Sequence, residues 1–82
     1  MKKEYVIDLH SLTSLNSFIL DVQQFCCDVD AIYGKYTVDA KSYLGVASIS
    51  THPITVRINS DEKEVLQEFH DFCKKYIYEG EI

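Results

Sequence analysis

The sequence is poor in cations. It has eight Lys and Arg residues against thirteen Asp and Glu residues, which gives a formal net charge of −5. Nucleic-acid binding and attraction to anionic membranes both depend on clustered basic residues, so the composition argues against both kinds of partner. The chain also lacks an apolar run near the ~20 residues that span a bilayer, and its N-terminus lacks the pattern of a signal peptide. We therefore expect a cytosolic, cytoplasmic protein.

Motifs for metal binding and for stand-alone catalysis are missing as well. The three cysteines, Cys26, Cys27 and Cys73, form no Cys-x-x-Cys pair and have no adjacent His, so the sequence predicts neither a disulfide framework nor a zinc site. Reduced thiols are the expectation, with a redox role as the alternative. The chain has no Gly-rich phosphate loop and no nucleophile–base pair at a recognisable spacing. We expect no cofactor and no metal.

Periodic apolar residues are abundant, and hydrophobic types make up 46% of the chain. This composition predicts one small folded domain over residues 1–82. Tyr5, Ile7 and Leu9 recur at every second position, which predicts a strand over 3–8. Apolar residues at helical spacing then predict a helix over about 13–26. These residues are Leu12, Leu15, Phe18, Ile19, Val22 and Phe25.

The second half of the chain alternates in the same way. Two runs of alternating residues, 28–33 and 36–40, flank Gly34 and predict a β-hairpin. A strand over 54–59 and a helix over about 61–77 follow. We expect Ser60 to cap this last helix, whose predicted first turn holds Asp61 and Glu62 and whose predicted last turn holds Lys74 and Lys75. Its predicted buried stripe is Val65, Leu66, Phe69, Phe72, Cys73 and Tyr76.

A short helix over about 42–49 is predicted between the hairpin and the last strand. Ser42 stands at its start and can cap it, and the same position would also favour a phosphate group. A plain cap and a modified serine therefore both stay open. The complete order, β-α-β-β-α-β-α, predicts an α+β fold with helices packed on one face of a sheet.

A family resemblance is carried by the segment Lys41-Ser42-Tyr43-Leu44-Gly45-Val46-Ala47-Ser48-Ile49. It resembles the regulatory-serine region of HPr, the phosphocarrier of the bacterial sugar phosphotransferase system. The order of elements is similar too. The resemblance implies an open-faced β-sandwich, in which helices cover one face of a four-stranded antiparallel sheet. It also implies that Ser42 is phosphorylated by a regulatory kinase, and that enzyme I and the sugar-specific enzyme II proteins are partners.

The phosphoryl acceptor of the HPr family is a histidine in a His-x-Arg-Pro motif at the start of the first helix. Counting back from Ser42 without gaps places this position on Ser11, whereas a one-residue insertion places it on His10. The pair Leu9-His10 is similar to the family's apolar–His pair, so His10 is the candidate acceptor. The arginine and the proline are absent in either alignment. Without the bidentate hydrogen bonds of an arginine, we expect phosphoryl transfer to be slow.

Two functions fit this pattern. The first is a divergent regulatory or protein-interaction module that docks through an apolar patch, carries little or no phosphoryl group and is regulated through Ser42. The candidate contact residues of this patch are Leu12, Leu15, Tyr43, Leu44 and Ala47. The alternative is an active carrier that accepts a phosphoryl group on His10 from enzyme I and passes it to enzyme II components. We favour the module and expect it to be a monomer.

Overall fold

The computed structural model describes residues 2–77, which form a sheet of four strands covered by three helices. The strands are β1 (Glu4–Ile7), β2 (Val29–Tyr33), β3 (Tyr36–Asp39) and β4 (Ile54–Ile58). The helices are α1 (Leu12–Val22), α2 (Tyr43–Ile49) and α3 (Lys63–Cys73), and a 3₁₀ turn over Lys74–Tyr76 extends α3. The predicted order of elements and the predicted α+β class are confirmed.

The sheet is open on one face. Its strand order is β1-β4-β2-β3, and every neighbouring pair is antiparallel. Successive residues of a strand point to opposite faces, so each strand gives alternate residues to the helix-covered side. These inward residues are all buried: Tyr5, Ile7, Val29, Ala31, Ile54, Val56 and Ile58. The outward residues include Glu4 and Arg57, which form an ion pair between β1 and β4. This is the predicted open-faced β-sandwich.

Aromatic side chains fill the layer between the sheet and the helices. Phe18 of α1 is fully buried, and its ring centroid lies 5.3 Å from that of Phe72 on α3. Phe25 packs edge-on against Phe69 with 5.7 Å between centroids. No polar or charged residue among 2–77 is buried, so this core is apolar throughout. Burial of such rings is the main stabilising term in a chain of this size.

The predicted end of α1 is wrong by four residues, because the helix ends at Val22 and not at Cys26. After Val22, hydrogen bonds from two side chains hold the backbone in place of further helical turns. The Lys41 ammonium donates to the Phe25 carbonyl at 2.5 Å, and the Gln23 side-chain amide donates to the Lys41 carbonyl at 2.7 Å. Phe25 is buried all the same, since the turn after the helix directs its ring into the core.

The predicted start of α3 is also wrong. The helix begins at Lys63, so Asp61 and Glu62 precede it, and Glu64 is the acidic residue of its first turn. Ser60 does not cap the helix, because its hydroxyl accepts from the Glu62 N–H at 3.1 Å. Lys74 and Lys75 lie in the 3₁₀ turn. The predicted stripe is buried except at Val65, which is half-buried against the core.

Gly34 makes the hairpin turn between β2 and β3. Tyr33 pairs with Tyr36, so the turn has two residues, and Gly34 is the residue of 2–77 with positive φ, at +60°. Positive φ at the first central position is the type II′ arrangement, which favours glycine. An added Cβ would meet no atom within 4 Å, so a substitution here acts through backbone strain.

We expect Gly34→Ala to lower the free energy of unfolding by about 1–2 kcal/mol, because an L-residue is strained at this φ. Urea denaturation followed by circular dichroism measures the change. Lys35→Ala, in the same turn, is the matched control and should change stability by less than about 0.5 kcal/mol. Equal stability of the two variants would contradict the assignment of the strain to Gly34.

Candidate functional site

The start of α1 holds His10 and Ser11, the two candidate positions that the family resemblance gives for a phosphoryl acceptor. Ser11 is the N-cap, and its hydroxyl accepts from the Ser14 N–H at 3.1 Å. The same hydroxyl donates to the Ser14 hydroxyl at 3.1 Å. Ser11 is therefore committed to capping, which satisfies one of the free donors of the first turn. His10 precedes the cap and is exposed.

His10 lines an open concavity between the start of α1 and the end of α2. The lining residues are Asp8, Leu9, His10, Ser11, Leu12, Leu15, Ser50 and Thr51. Asp8 is the one acidic residue of this set, which contains no Lys or Arg, and a carboxylate there would repel a phosphoryl group on the imidazole of His10. The unpaired N–H groups at the start of α1 are the favourable electrostatic feature here.

The sole arginine of the sequence, Arg57, lies away from His10. It faces Glu4 across the β1–β4 pair, whereas Ile7, at the His10 end of β1, faces Ile54. Three strand positions, about 10 Å, separate these two rows. Arg57 also donates from Nε to a Glu4 carboxylate oxygen at 2.7 Å. It therefore does not supply a guanidinium beside His10.

Ser42 caps α2, which confirms the first of its two predicted roles, a helix cap and a phosphorylated serine. Its hydroxyl accepts from the Gly45 N–H at 3.3 Å, and the residue is exposed. The preceding turn is fixed by Asp39, whose carboxylate accepts from the Lys41 N–H at 2.9 Å. Gly45 allows α2 to lie close to β3, because a Cβ there would come within 3.1 Å of the Val38 Cβ.

The two candidate sites lie at opposite ends of α2. The bond from Gln23 to the Lys41 carbonyl joins the end of α1 to the start of α2. At the other end, Ser50 and Thr51 share the His10 concavity. The two helices therefore lie side by side with opposite direction. The 7 residues of α2, about 10 Å of helix, separate Ser42 from the His10 end.

The apolar residues predicted for docking divide into two groups. Leu12 is 66% exposed, Leu44 is 84% exposed and Tyr43 is 40% exposed. Ala47 is half-buried against the core. Leu15 is buried, so its assignment to the patch is wrong. Leu12 shares the apolar helical spacing of the buried residues Leu15, Phe18 and Val22, but it is exposed. Leu12 lies to one side of these residues, where the helix meets solvent.

Sequence reasoning missed a further exposed leucine and the absence of charged residues from two segments of the chain. Leu20 on α1 is 74% exposed. Residues 9–20 and 42–56, which include most of α1, all of α2 and the following loop, contain no Lys, Arg, Asp or Glu. We call the exposed part of these two segments the neutral face. The absence of charge is visible in the sequence. That the two uncharged segments form one surface is visible only in the structure, where α1 and α2 are adjacent.

The remaining histidines and cysteines form no second site in the described part of the chain. His52 stacks on Tyr33 with 4.4 Å between centroids, and His70 lies 3.0 Å from the Tyr5 hydroxyl. Burial raises the pKa of Tyr5, and it raises the pKa of the Cys73 thiol to about 12, which makes that thiol unreactive. Over residues 2–77, no three His, Cys, Asp or Glu residues cluster as metal ligands. No helix there is long and apolar enough to cross a membrane.

Comparison with known proteins identifies the architecture. No protein-family model matches the sequence. No curated protein matches it either. Among solved structures, the crystal structure of HPr-C-His from Thermoanaerobacter tengcongensis superposes with a TM-score of 0.68 at 18% sequence identity. The match covers 89% of this chain and 92% of that one. The chain therefore has the HPr fold.

Proposed function

We propose that this protein is a divergent, HPr-like interaction module of the sugar phosphotransferase system, with reduced or absent phosphoryl carriage. The observation that carries the proposal is the contrast between its two candidate surfaces. Exposed apolar side chains suited to docking are present at Leu12, Tyr43 and Leu44. The group that would hold a phosphoryl group beside His10 is absent, because the one arginine is paired elsewhere.

Slow transfer follows from charge. A phosphoryl group passing to His10 keeps its negative charge through the transition state, and stabilisation of that charge is most of the catalysis in phosphoryl transfer. The lining of the concavity supplies hydroxyl groups and the Asp8 carboxylate but no cation. The helix N-terminus offsets part of the charge. It does not replace bidentate, charge-assisted hydrogen bonds from a guanidinium.

The neutral face supports docking that does not depend on ion pairs. A partner carboxylate or ammonium buried against this face would lose its hydration and find no opposite charge in residues 9–20 or 42–56. The proposed contact residues are Leu12, Tyr43, Leu44 and Ala47, all on this face. The matching partner surface is apolar at its centre, as expected for the buried middle of a protein–protein interface.

Ser42 is proposed as the point of regulation. A kinase would form the bond between Ser42 Oγ and phosphorus as the γ-phosphoryl group leaves a nucleoside triphosphate, and the hydroxyl proton would pass to a base of the kinase. The product places about two negative charges next to Tyr43 and Leu44. Because that part of the neutral face carries no charge, the modification would weaken apolar docking there.

Binding of purified enzyme I to the isotope-labelled protein tests the proposal. We expect Leu44→Ser to weaken binding at least about tenfold, because a central apolar contact is lost. The dissociation constant should change by less than about threefold between roughly 50 and 500 mM NaCl, since no charge pair is screened. NMR titration provides both measurements.

The matched control is Val6→Ser, which removes an apolar side chain that is 45% exposed on the open face of the sheet. This variant should bind enzyme I as the wild type does. Absence of binding, equal effects of the two substitutions, or an affinity that falls steeply with salt would each contradict docking through the neutral face.

The second candidate function is an active phosphocarrier that uses His10. It is favoured by the exposure of His10 directly before the capped first turn of α1, where the backbone N–H groups attract anions. The proton-free ring nitrogen would form a bond to phosphorus as the bond to enzyme I breaks. Intact-mass spectrometry after incubation with enzyme I and phosphoenolpyruvate separates the two candidates, because only the carrier gains a phosphoryl group on His10 at the rate of a standard HPr.

A further inference from the structure

Lys41 joins the end of α1 to the start of α2. Its ammonium donates to the Phe25 carbonyl at 2.5 Å, and this contact is partly buried. Its carbonyl accepts from the Gln23 side chain at 2.7 Å. Its N–H donates to the Asp39 carboxylate at 2.9 Å. One residue thus holds the segment 23–28, which leaves α1, against the turn that enters α2.

The same lysine is the cation closest in sequence to Ser42. It immediately precedes Ser42, and residues 36–56 contain no other Lys or Arg. Neighbouring Cα atoms lie about 3.8 Å apart, so a phosphoryl group on Ser42 lies within the length of the four-carbon Lys41 side chain. The nearby Asp39 carboxylate repels a second anion and cannot stabilise it.

A phosphoryl group on Ser42 would compete for the Lys41 ammonium. A hydrogen bond from an ammonium to a phosphate oxygen joins two charged groups and is stronger than the same bond to a neutral carbonyl. We infer that phosphorylation of Ser42 draws the Lys41 ammonium away from the Phe25 carbonyl and loosens the segment 23–28. This inference rests on the proposed modification of Ser42, and it adds a conformational response at the C-terminal end of α1.

The loosened segment has two reporters in its backbone. The Gln24 N–H donates to the Asp21 carbonyl at 3.2 Å, and the Phe25 N–H donates to the Val22 carbonyl at 3.3 Å. Both bonds belong to the turn that Lys41 holds closed. The half-buried Cys27 thiol lies two residues after Phe25 and gives a third reporter. The bond from Gln23 to the Lys41 carbonyl remains, so the response should stay local.

The experiment uses the full chain with phosphoserine inserted at position 42 during translation, so that it does not depend on a kinase. Amide hydrogen exchange is followed by NMR, and alkylation of Cys27 is followed in a Cys26→Ser background. We expect the Gln24 and Phe25 amides to exchange about tenfold faster than in the unmodified protein, because the turn has lost a bond from a charged donor. Alkylation of Cys27 should accelerate in parallel.

Three variants make the result specific. Phosphoserine at position 48, exposed on the same helix, should leave both amides unchanged. Lys41→Gln should speed exchange by itself, and phosphoserine at position 42 should then add nothing. Lys41→Arg should restore the response. Unchanged exchange with phosphoserine 42, an equal effect from phosphoserine 48, or a full effect in the Lys41→Gln background would each overturn the inference. A kinase that leaves Ser42 unmodified would count against the proposed regulation alone.

Discussion

Leu12→Arg is expected to raise the rate of phosphorylation of His10 by enzyme I and phosphoenolpyruvate at least about a hundredfold, from a wild-type rate near zero. An arginine that stabilises the charge in phosphoryl transfer is worth about 10³–10⁵ in rate, and one placed without its evolved surroundings should recover part of that. Leu12 occupies the arginine position of the His-x-Arg-Pro motif when His10 is the acceptor. Its side chain is 66% exposed, so the guanidinium fits without disturbing the core. The substitution also removes one of the four proposed docking contacts, and this loss is a second reason to expect less than the full effect of an arginine; Tyr43, Leu44 and Ala47 remain for the binding of enzyme I.

Intact-mass spectrometry measures this result, with a standard HPr in the same reaction as the positive control. The added mass should be acid-labile and should vanish in His10→Ala/Leu12→Arg. Thr13→Arg is the matched control, because it occupies the arginine position only if the acceptor position is Ser11. If the wild-type protein is labelled as fast as the standard HPr, the proposed interaction module is wrong and the protein is an active phosphocarrier.

Phe18→Ala is expected to remove about 3–5 kcal/mol from the free energy of unfolding, the cost of truncating a fully buried ring and leaving a cavity. Phe18 has no exposed surface, and its ring touches both Phe72 and Tyr76. A chain of this length has a total stability of about 4–12 kcal/mol. The variant should therefore lose at least about a quarter of the total stability, and all of it at the lower end of this range.

Guanidinium denaturation followed by circular dichroism gives the free energy of unfolding. Leu20→Ala, on the same helix, is the matched control. Leu20 is 74% exposed, so its truncation should change the stability by less than about 0.5 kcal/mol. Comparable losses in the two variants would mean that α1 is packed with a different face against the sheet.

Much of the fold can be predicted from the sequence, because the alternation of inward and outward side chains along a strand is visible within a few neighbouring residues. Tyr5 and Ile7 alternate with outward residues, and a two-residue turn at Gly34 fixes the hairpin register. The ends of the helices were less predictable. Phe25 continues the apolar spacing of α1 and is buried, yet it lies outside the helix, because contacts with Lys41 and Gln23 replace the next helical turn. Such contacts join residues distant in sequence.

The candidate site was predictable in part for a related reason. The cap at Ser42 depends on its own helix and is present as expected. Leu12 and Leu15 are both apolar and three residues apart, yet the first is exposed and the second is buried. The spacing places both residues near one side of α1. How far burial extends around the helix depends on where α2 and the sheet lie, and the spacing does not show this. Whether Leu12 binds a partner stays a prediction.

The strand order has a consequence for how the chain is assembled. β2 and β3 close over two residues, whereas Glu4 of β1 meets Arg57 of β4 at a sequence separation of 53. Closing so long a loop costs more entropy than closing a hairpin, so this pairing forms late. During synthesis, β1 leaves the ribosome before β4, which is the strand that it pairs with. We therefore expect β1 to join the sheet after the β2–β3 hairpin has formed, and the inward side chains of Tyr5 and Ile7 to lack their neighbouring strand until β4 is complete.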